Sequence, residues 1–445
     1  MKTLLRGHAW ILILFLFSSM SYAAQFDPET ATRQYLDSVP ADMRARSDAY
    51  FTGGYWLQLF DLIYGLGIAW LLLATRWSAL TRDRIALKLS NRFVRTMLYV
   101  ALYVIVTAVL SLPQTFYEGY YREHAYGFAN QNFVGWFGDQ AKGLGINVIF
   151  SSLGFALLYM LIRRLKNQWV IAGTALSISL LIFGIFIAPM YIEPLFNEYV
   201  PMKEGAVKTE ILRIAHANSI PTSDVLMFNA SKQTKRVSAN VAGIGSSVRI
   251  ALNDNLLNRA SPEGVAAVMG HEMGHYVLNH VVKFLVFLAV LLAFGFYFID
   301  SAYRLVQRHW GSKFGIGEIG DEAGLPIVIA LLSLYMFMAT PIFNTIIRTQ
   351  EMEADFFGLN ASQQPDGFAE AMLMTAEYRK AEPGYWEEIV FYDHPSPHTR
   401  IFNAMTWKAA NLDKPVASTV LNAMRVVQPV VPVSSTTRSV TPPVR

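Results

Sequence analysis

The 445-residue chain contains no cysteine, which excludes disulfides and thiolate metal sites. Charge is almost as scarce: Asp, Glu, Lys and Arg make up 16% of the chain, against about 25% in a soluble globular protein. The net charge is only +4, and the basic residues fall in short loops beside apolar runs. That pattern marks membrane topology rather than a nucleic-acid surface, and no nucleic-acid partner is expected. No internal repeat is present. What is abundant is apolar: 53% of residues are hydrophobic and 13% aromatic.

Six stretches are long and apolar enough to span a bilayer: about Leu57–Thr75, Thr96–Leu112, Ile146–Ile162, Trp169–Ile192, Val282–Ile299 and Pro326–Phe343. Buried helices of a large soluble protein are the alternative, but six such runs with almost no internal charge are too many for one core. The N-terminus reads as a secretory signal over 1–23. Lys2 and Arg6 precede the apolar "AWILILFLF" and the small-residue "SYAA"; a short first span is the other reading. The segment 425–445, rich in Pro, Ser, Thr and Val, reads as a disordered tail.

Loop charge then sets orientation. Arg76–Arg95 holds six Lys/Arg and "RRLK" holds three in four residues, whereas Pro113–Gly145 has only Arg122 and Lys142. The positive-inside rule places the first two in the cytoplasm and the third outside. Counting onward, the polar regions 193–281 and 344–424 both face outside, joined by the span pair 282–343, while the spans of 24–192 precede them. Asp300–Leu325, with Arg304, Arg308 and Lys313, faces inside. A pair of spans is a there-and-back excursion, so the two polar regions can build one domain. The expected fold is mainly α: a polytopic transmembrane helical bundle carrying one polar domain, with a small β-sheet, split by two spans.

Within the first polar region, "VLMFNAS" and "VRIALNDNLL" have strand character, with "GIGSS" as a turn. "SPEGVAAVMGHEMGHYVLNH" begins as a helix should, with Ser261 as N-cap and Pro262 in the first helical position. On that helix His271 and His275 share one face, a turn apart, and two imidazoles so spaced can hold one zinc ion. Glu272 lies about 100° further round, placed to take a proton from a water that the ion activates. A catalytic zinc needs a third protein ligand and an open position. One class of zinc protease would place glycine and histidine at the positions of Leu278 and Val281, so it is excluded. His280 is expected to point elsewhere.

A third ligand must therefore come from a distant helix. In "RTQEMEADFFGL", Glu351 and Asp355 share a helical face, which suits one ligand and one carboxylate that orients a liganding histidine. Glu353, about 200° from Glu351, is the weaker candidate. In "DHPSPHTR", His394 is a candidate electrophile for a developing oxyanion, with His398 and Arg400 following in a Pro-rich loop.

These motifs, in this order, make the chain resemble an integral-membrane zinc metalloprotease of the CAAX prenyl protease type 1 family over roughly Tyr55 to Met405. "HEMGH" with His280 resembles the family's HExGHxxxxH helix, "EMEAD" its ExxAD element and "HPSPHTR" its HPxxxxR element. "IEPLFNEYVPMKEGAVKTEI" resembles the lead into the catalytic domain, and "REHAYGFANQ" the family's ERHGFN loop. The resemblance implies one zinc ion held by His271, His275 and Glu351, and Glu272 as general base. It implies Asp355 behind the ligands, with His394 and Arg400 lining the site. The family's substrate adds to an edge strand reading Asn-Ala-Tyr, which aligns with Ser238, Ala239 and Asn240. A polypeptide substrate and a lipid bilayer are the expected partners, and a bacterial inner membrane with the site facing the periplasm is the expected location. Rival readings are quality-control cleavage of misfolded membrane proteins, a non-catalytic zinc-binding scaffold, and a transporter. Glu272 argues against the scaffold, and the lack of a charge cluster within the spans argues against the transporter.

Overall fold

The structure, a computed structural model, describes residues 26–243 and 248–412. The expected signal, the tail and most of the "GIGSS" turn lie outside the described residues. Six helices are long and apolar enough to cross a membrane, in agreement with the expected six spans, and they run from 27 to 41 residues. A crossing needs roughly 20 residues, so each helix projects well beyond the apolar layer. No apolar window is more than 22% buried, and that of Trp169–Leu195 is 6% buried. Helices at the centre of a soluble core would be enclosed. Here Trp56, Ile63, Val109, Ile171, Val286 and Phe294 face outward, as lipid-facing residues do.

The chain opens with α1 (Pro28–Asp37), capped by Asp27, whose carboxylate accepts from the Thr30 amide at 3.0 Å. The first span, α2 (Ala41–Ala74), is followed by α3 (Trp77–Lys88) and the second span, α4 (Arg92–Phe116). The third and fourth spans are α5 (Phe133–Leu165) and α6 (Trp169–Ile187). The stretch 113–145, expected as a loop, is mostly helical: α4 runs on as a π-helical turn over Tyr117–Arg122. Buried tyrosines 99, 103 and 159 pack between α4 and α5, and Tyr303 joins them from a later helix. Asp61 of α2 accepts a hydrogen bond from Gln114, so one polar pair does lie between spans.

A four-stranded sheet follows, in order β1 (Tyr199–Pro201), β2 (Val225–Phe228), β4 (Arg249–Asn253), β3 (Ala239–Ala242). Strands β2 and β4 are parallel, while β3 runs antiparallel to β4 with Asn240 opposite Ala251. Strand β3 is therefore an edge. The strand run expected over "VRIALNDNLL" ends at Asn253, whose side chain accepts from the Leu256 amide at 2.9 Å and starts α8 (Asp254–Arg259). Between β1 and β2 lies α7 (Ala206–Ala217).

Next come α9 (Pro262–Val277), the fifth span α10 (His280–Phe314) and the sixth span α11 (Leu325–Ser362). Ser261 caps α9 as expected, its hydroxyl accepting from the Gly264 amide at 3.0 Å. One face of α9 packs on the sheet and α7 through Val265, Met269 and Met273 against Ile211, Ile250 and Leu252. The other side meets α12 (Pro365–Thr375) and α14 (Pro397–Ala410), where Ala267 packs with Phe368, Ile401 and Met405. Helix α1 joins that second cluster through Ala31 and Leu36, so the start of the chain also packs at this end. A short helix, α13 (Tyr385–Phe391), precedes α14.

Candidate active site

Helix α9 brings His271, Glu272 and His275 to one end of the bundle, and α11 crosses it closely. The crossing is built on small residues. A Cβ on Gly270 would lie 3.0 Å from the Gly358 carbonyl oxygen, and one on Gly274 would lie 3.1 Å from the Ala354 Cα. A Cβ on Gly358 would lie 2.7 Å from the His271 backbone nitrogen. Only this approach lets the short Glu351 side chain reach both imidazoles. Helix α11 is unbroken from the membrane to Ser362, so the position of Glu351 is fixed by a rigid rod.

The Nε2 atoms of His271 and His275 are 3.1 Å apart. Glu351 Oε2 is 3.3 Å from the first and Oε1 is 3.4 Å from the second. The three candidate ligand atoms lie within 4.8 Å of one another. Glu351 Oε2 is buried and lacks a hydrogen-bond partner among the described residues. A buried carboxylate oxygen left unsatisfied beside two imidazole nitrogens is an arrangement that a cation completes.

The groups behind the ligands fix their protonation. His271 Nδ1 is 2.8 Å from Asp355 Oδ1, and an ionised carboxylate only accepts, so Nδ1 carries a proton and Nε2 faces Glu351. Arg400 donates through Nε to Asp355 Oδ2 at 2.8 Å and through a second nitrogen to Oδ1, a two-point hold on a buried carboxylate. Burial disfavours a charge on His271, but Asp355 and Glu351 outweigh it and raise its pKa to about 10. The two carboxylates thus call for positive charge at this point.

His280 does not point away, as the sequence suggests; it turns back onto the second ligand. Its Nε2 donates to Glu353 at 3.0 Å, so its Nδ1 accepts, at 2.9 Å, from His275 Nδ1. That leaves the His275 Nε2 lone pair free. Glu353 is the far end of this relay, also bound by Lys283 at 2.6 Å, and is not at the ligand cluster. The left-handed turn at Asn279, between α9 and α10, reverses the chain so that a residue five past His275 reaches it.

Glu272 lies beside the ligands in a cavity of about 190 Å³ lined also by Ser238, Ala239, Glu351, His394 and Arg400. Burial, reinforced by Glu351, raises its pKa, and His271, His275 and Arg400 oppose the rise. Of the expected substrate strand, Ser238 and Ala239 line the cavity; Asn240 does not, and its side-chain oxygen is buried without a partner among the described residues. His394 Nε2 is 3.3 Å from Glu351 Oε2. Its Nδ1 sits between Asp393 Oδ1 at 2.8 Å and an Arg379 nitrogen at 3.2 Å. Burial keeps His394 below its ordinary pKa, and the Asp393 carboxylate, which only accepts, takes a hydrogen bond from Nδ1–H and leaves Nε2 toward Glu351.

Arg400 and His398 do not lie in a loop. Ser396 caps α14, accepting from the Thr399 amide at 3.2 Å, and Pro397 occupies its first turn. Helical geometry turns Arg400 into the site and leaves His398 outside it, near Arg33 at 3.4 Å. Sequence reasoning missed Asp393 and Arg379, the orienting role of His280, and the glycines of the crossing. The spacing "GHEMG" and the glycine three residues past Asp355 were the available signals for the crossing. A second void of about 380 Å³, lined by Tyr50, Arg122, Arg236 and Asn344, shares Tyr378 and Arg379 with the site and extends it toward the spans.

An HExxH helix crossed by an acidic helix that continues a membrane span defines the class: a multi-span membrane protease. Comparison with known proteins is more specific. Residues 201–408 match the model of peptidase family M48, and residues 28–198 match the CAAX prenyl protease N-terminal model, described as five membrane helices. The chain belongs to this family of membrane proteases. It is 32% identical over 316 residues to a Bacillus subtilis protein named uncharacterized metalloprotease YhfN, covering 70% of this chain and 74% of that one. It is 26% identical to the rice CAAX prenyl protease 1 homolog, over 69% of this chain and 73% of the relative. The crystal structure of S. mikatae Ste24p shares the fold, with a TM-score of 0.70 over 86% of this chain and 96% of that one at 20% identity.

Proposed function

We propose that the chain is a zinc endopeptidase that hydrolyses extended or membrane-associated polypeptide segments. The observation that carries the reading is the buried Glu351 carboxylate, whose Oε2 has no hydrogen-bond partner among the described residues. Its two oxygens are set beside the Nε2 atoms of His271 and His275, whose outer nitrogens are both committed to hydrogen bonds. Two imidazoles and a carboxylate are a donor set that suits zinc and leaves a fourth position for chemistry. His271, His275 and Glu351 would hold one ion, which supplies Lewis acidity toward a water and a peptide carbonyl when bound.

The protein's own groups do the rest. Glu272, beside the ligands and not among them, takes a proton from the attacking water and returns it to the departing amine. His394 borders the cavity and, in its protonated form with Asp393 accepting from Nδ1–H, would donate from Nε2 to the developing oxyanion. Asp355, fixed by Arg400, holds His271 in register. The substrate lies along the free edge of β3, where Ser238 and Ala239 border the cavity and main-chain hydrogen bonds need no particular side chain. Loop charge supports a site on the outer face of a bacterial inner membrane.

The test is a Glu272→Gln variant of detergent-purified protein, assayed beside wild type on a fluorogenic peptide library with metal content measured in both. The expected result is equal zinc, near one ion per chain, with cleavage reduced by a factor of roughly 10² to 10⁴. Equal cleavage by the two proteins would remove Glu272 from the chemistry. Absence of zinc from both would overturn the reading altogether.

A further inference from the structure

Three basic stretches that read in the sequence as topology signals meet in space. Residues of Arg76–Arg95, Arg163–Lys166 and Asp300–Leu325 enclose a cavity of about 850 Å³. It lies at the opposite end of the bundle from the protease site. Helix α10 runs from His280, beside the ligands, to Arg304 and Arg308 at the cavity, about 40 Å away at 1.5 Å per residue.

Seven arginines and lysines line this cavity, with four acidic residues. Three of the acids are already engaged: Asp321 by Arg82, Glu322 by Arg163 at 2.5 Å, and Asp300 by Arg304 at 2.7 Å. Arg163 also donates to the Gly320 carbonyl at 2.8 Å, which ties α5 to the segment between α10 and α11. These pairs build the walls. Arg92, Arg95, Lys166 and Arg308 remain, without a carboxylate partner within 4.0 Å among the described residues, and Glu318 is the one other acid in the lining.

Orientation in a membrane requires positive charge in the inner loops, and nothing more. It does not require three loops to be pinned together by ion pairs around a concavity. Four unpaired cations facing one cavity repel each other, and an anion with several oxygens relieves that repulsion. Arginine forks suit phosphate oxygens in particular. The position decides the source. The cavity opens where the apolar helices end, and apolar side chains share its lining with the cations: Ile85, Ile162 and Ile319, with the exposed Leu87 and Leu305 following the lining residues Ala86 and Arg304 along their helices. A free anion has no use for such neighbours, whereas acyl chains do.

We propose that this cavity binds the phosphate headgroup of an anionic membrane phospholipid, with Arg92, Arg95, Lys166 and Arg308 as its contacts. The test uses the full chain in a neutral nonionic detergent. Phosphatidylglycerol, phosphatidylcholine and inorganic phosphate are titrated separately, with thermal stability and native mass spectrometry as readouts. Wild type is expected to retain phosphatidylglycerol and gain stability, with no such response to phosphatidylcholine. The combined Arg92→Gln, Arg95→Gln, Arg308→Gln variant is expected to bind it about a hundredfold more weakly, or about fivefold per charge removed. If that variant does not fold, Arg308→Gln alone, at an exposed position, is expected to show the fivefold loss. Unchanged phosphatidylglycerol binding in the variants would overturn the site. An equal response to inorganic phosphate would overturn the lipid as its occupant.

Discussion

Replacing Gly358 by alanine adds one methyl group, on the helix that carries the third candidate ligand, Glu351, but neither histidine. The ideal Cβ would stand 2.7 Å from the His271 nitrogen, 3.0 Å from its Cα and 3.1 Å from the Gly270 carbonyl carbon. All three are backbone atoms, so no side chain can rotate away. Ordinary contact begins near 3.4 Å, and α9 and α11 must therefore separate by about 0.7 Å at this point. Glu351 lies two turns away on α11 and moves with it, whereas His271 and His275 stay on α9. Overpacking of this kind costs about 1–3 kcal/mol of stability, which a chain with several buried clusters survives. A misplacement near 1 Å at a reaction centre costs on the order of 100-fold in rate. Gly358→Ala is therefore expected to fold, to lose about 100-fold in kcat/KM and to retain less zinc after dialysis. Gly54→Ala, on the first span with nothing within 4 Å of its Cβ position, is the control and should match wild type. Activity and metal content within twofold of wild type in Gly358→Ala would refute the claim that the close crossing places the third ligand.

Three further outcomes follow from the geometry. In the metal-free protein His271 holds its proton up to about pH 10, so a cation must displace that proton to bind. Zinc binding at pH 7.5 should release a proton, seen by calorimetry in buffers of different ionisation enthalpy, and affinity should rise with pH until about 10; a pH-independent affinity contradicts this. Arg400→Ala leaves the buried Asp355 with only His271 Nδ1 to pair with and should lower stability, read by denaturant unfolding, by roughly 3–5 kcal/mol, with Arg400→Lys recovering only part because a single ammonium cannot hold both oxygens. His280→Ala breaks the relay from His275 to Glu353, and zinc affinity measured by chelator competition should fall about 10- to 100-fold while the helices stay folded. Unaltered affinity would make His280 a bystander.

Much of this protein is determined by local sequence. Long apolar runs have one stable outcome in lipid, the hydrogen-bonded helix, and so the six spans are readable from composition alone. The start of α9 is equally local, since Ser261, Pro262 and the Gly264 amide are neighbours along the chain. The HExxH spacing puts both imidazoles on one face for the same reason. Pairing Glu351 with them was accessible indirectly, through the count of crossings that returns both polar regions to one side.

Only the tertiary structure decides how these pieces meet. "HPSPHTR" carries in Ser396 and Pro397 the same local start signal as α9, but which way the helix faces is tertiary, and that facing is what turns Arg400 inward and leaves His398 outside. His280 sits at a spacing that a continuous helix would carry away from His275, and a single left-handed residue, Asn279, reverses that. The glycines of α9 and α11 look like helix weaknesses when each is read alone. Paired across the crossing, they are what allows two backbones to approach within reach of one carboxylate, because contact between distant segments depends on shape that neither segment contains by itself.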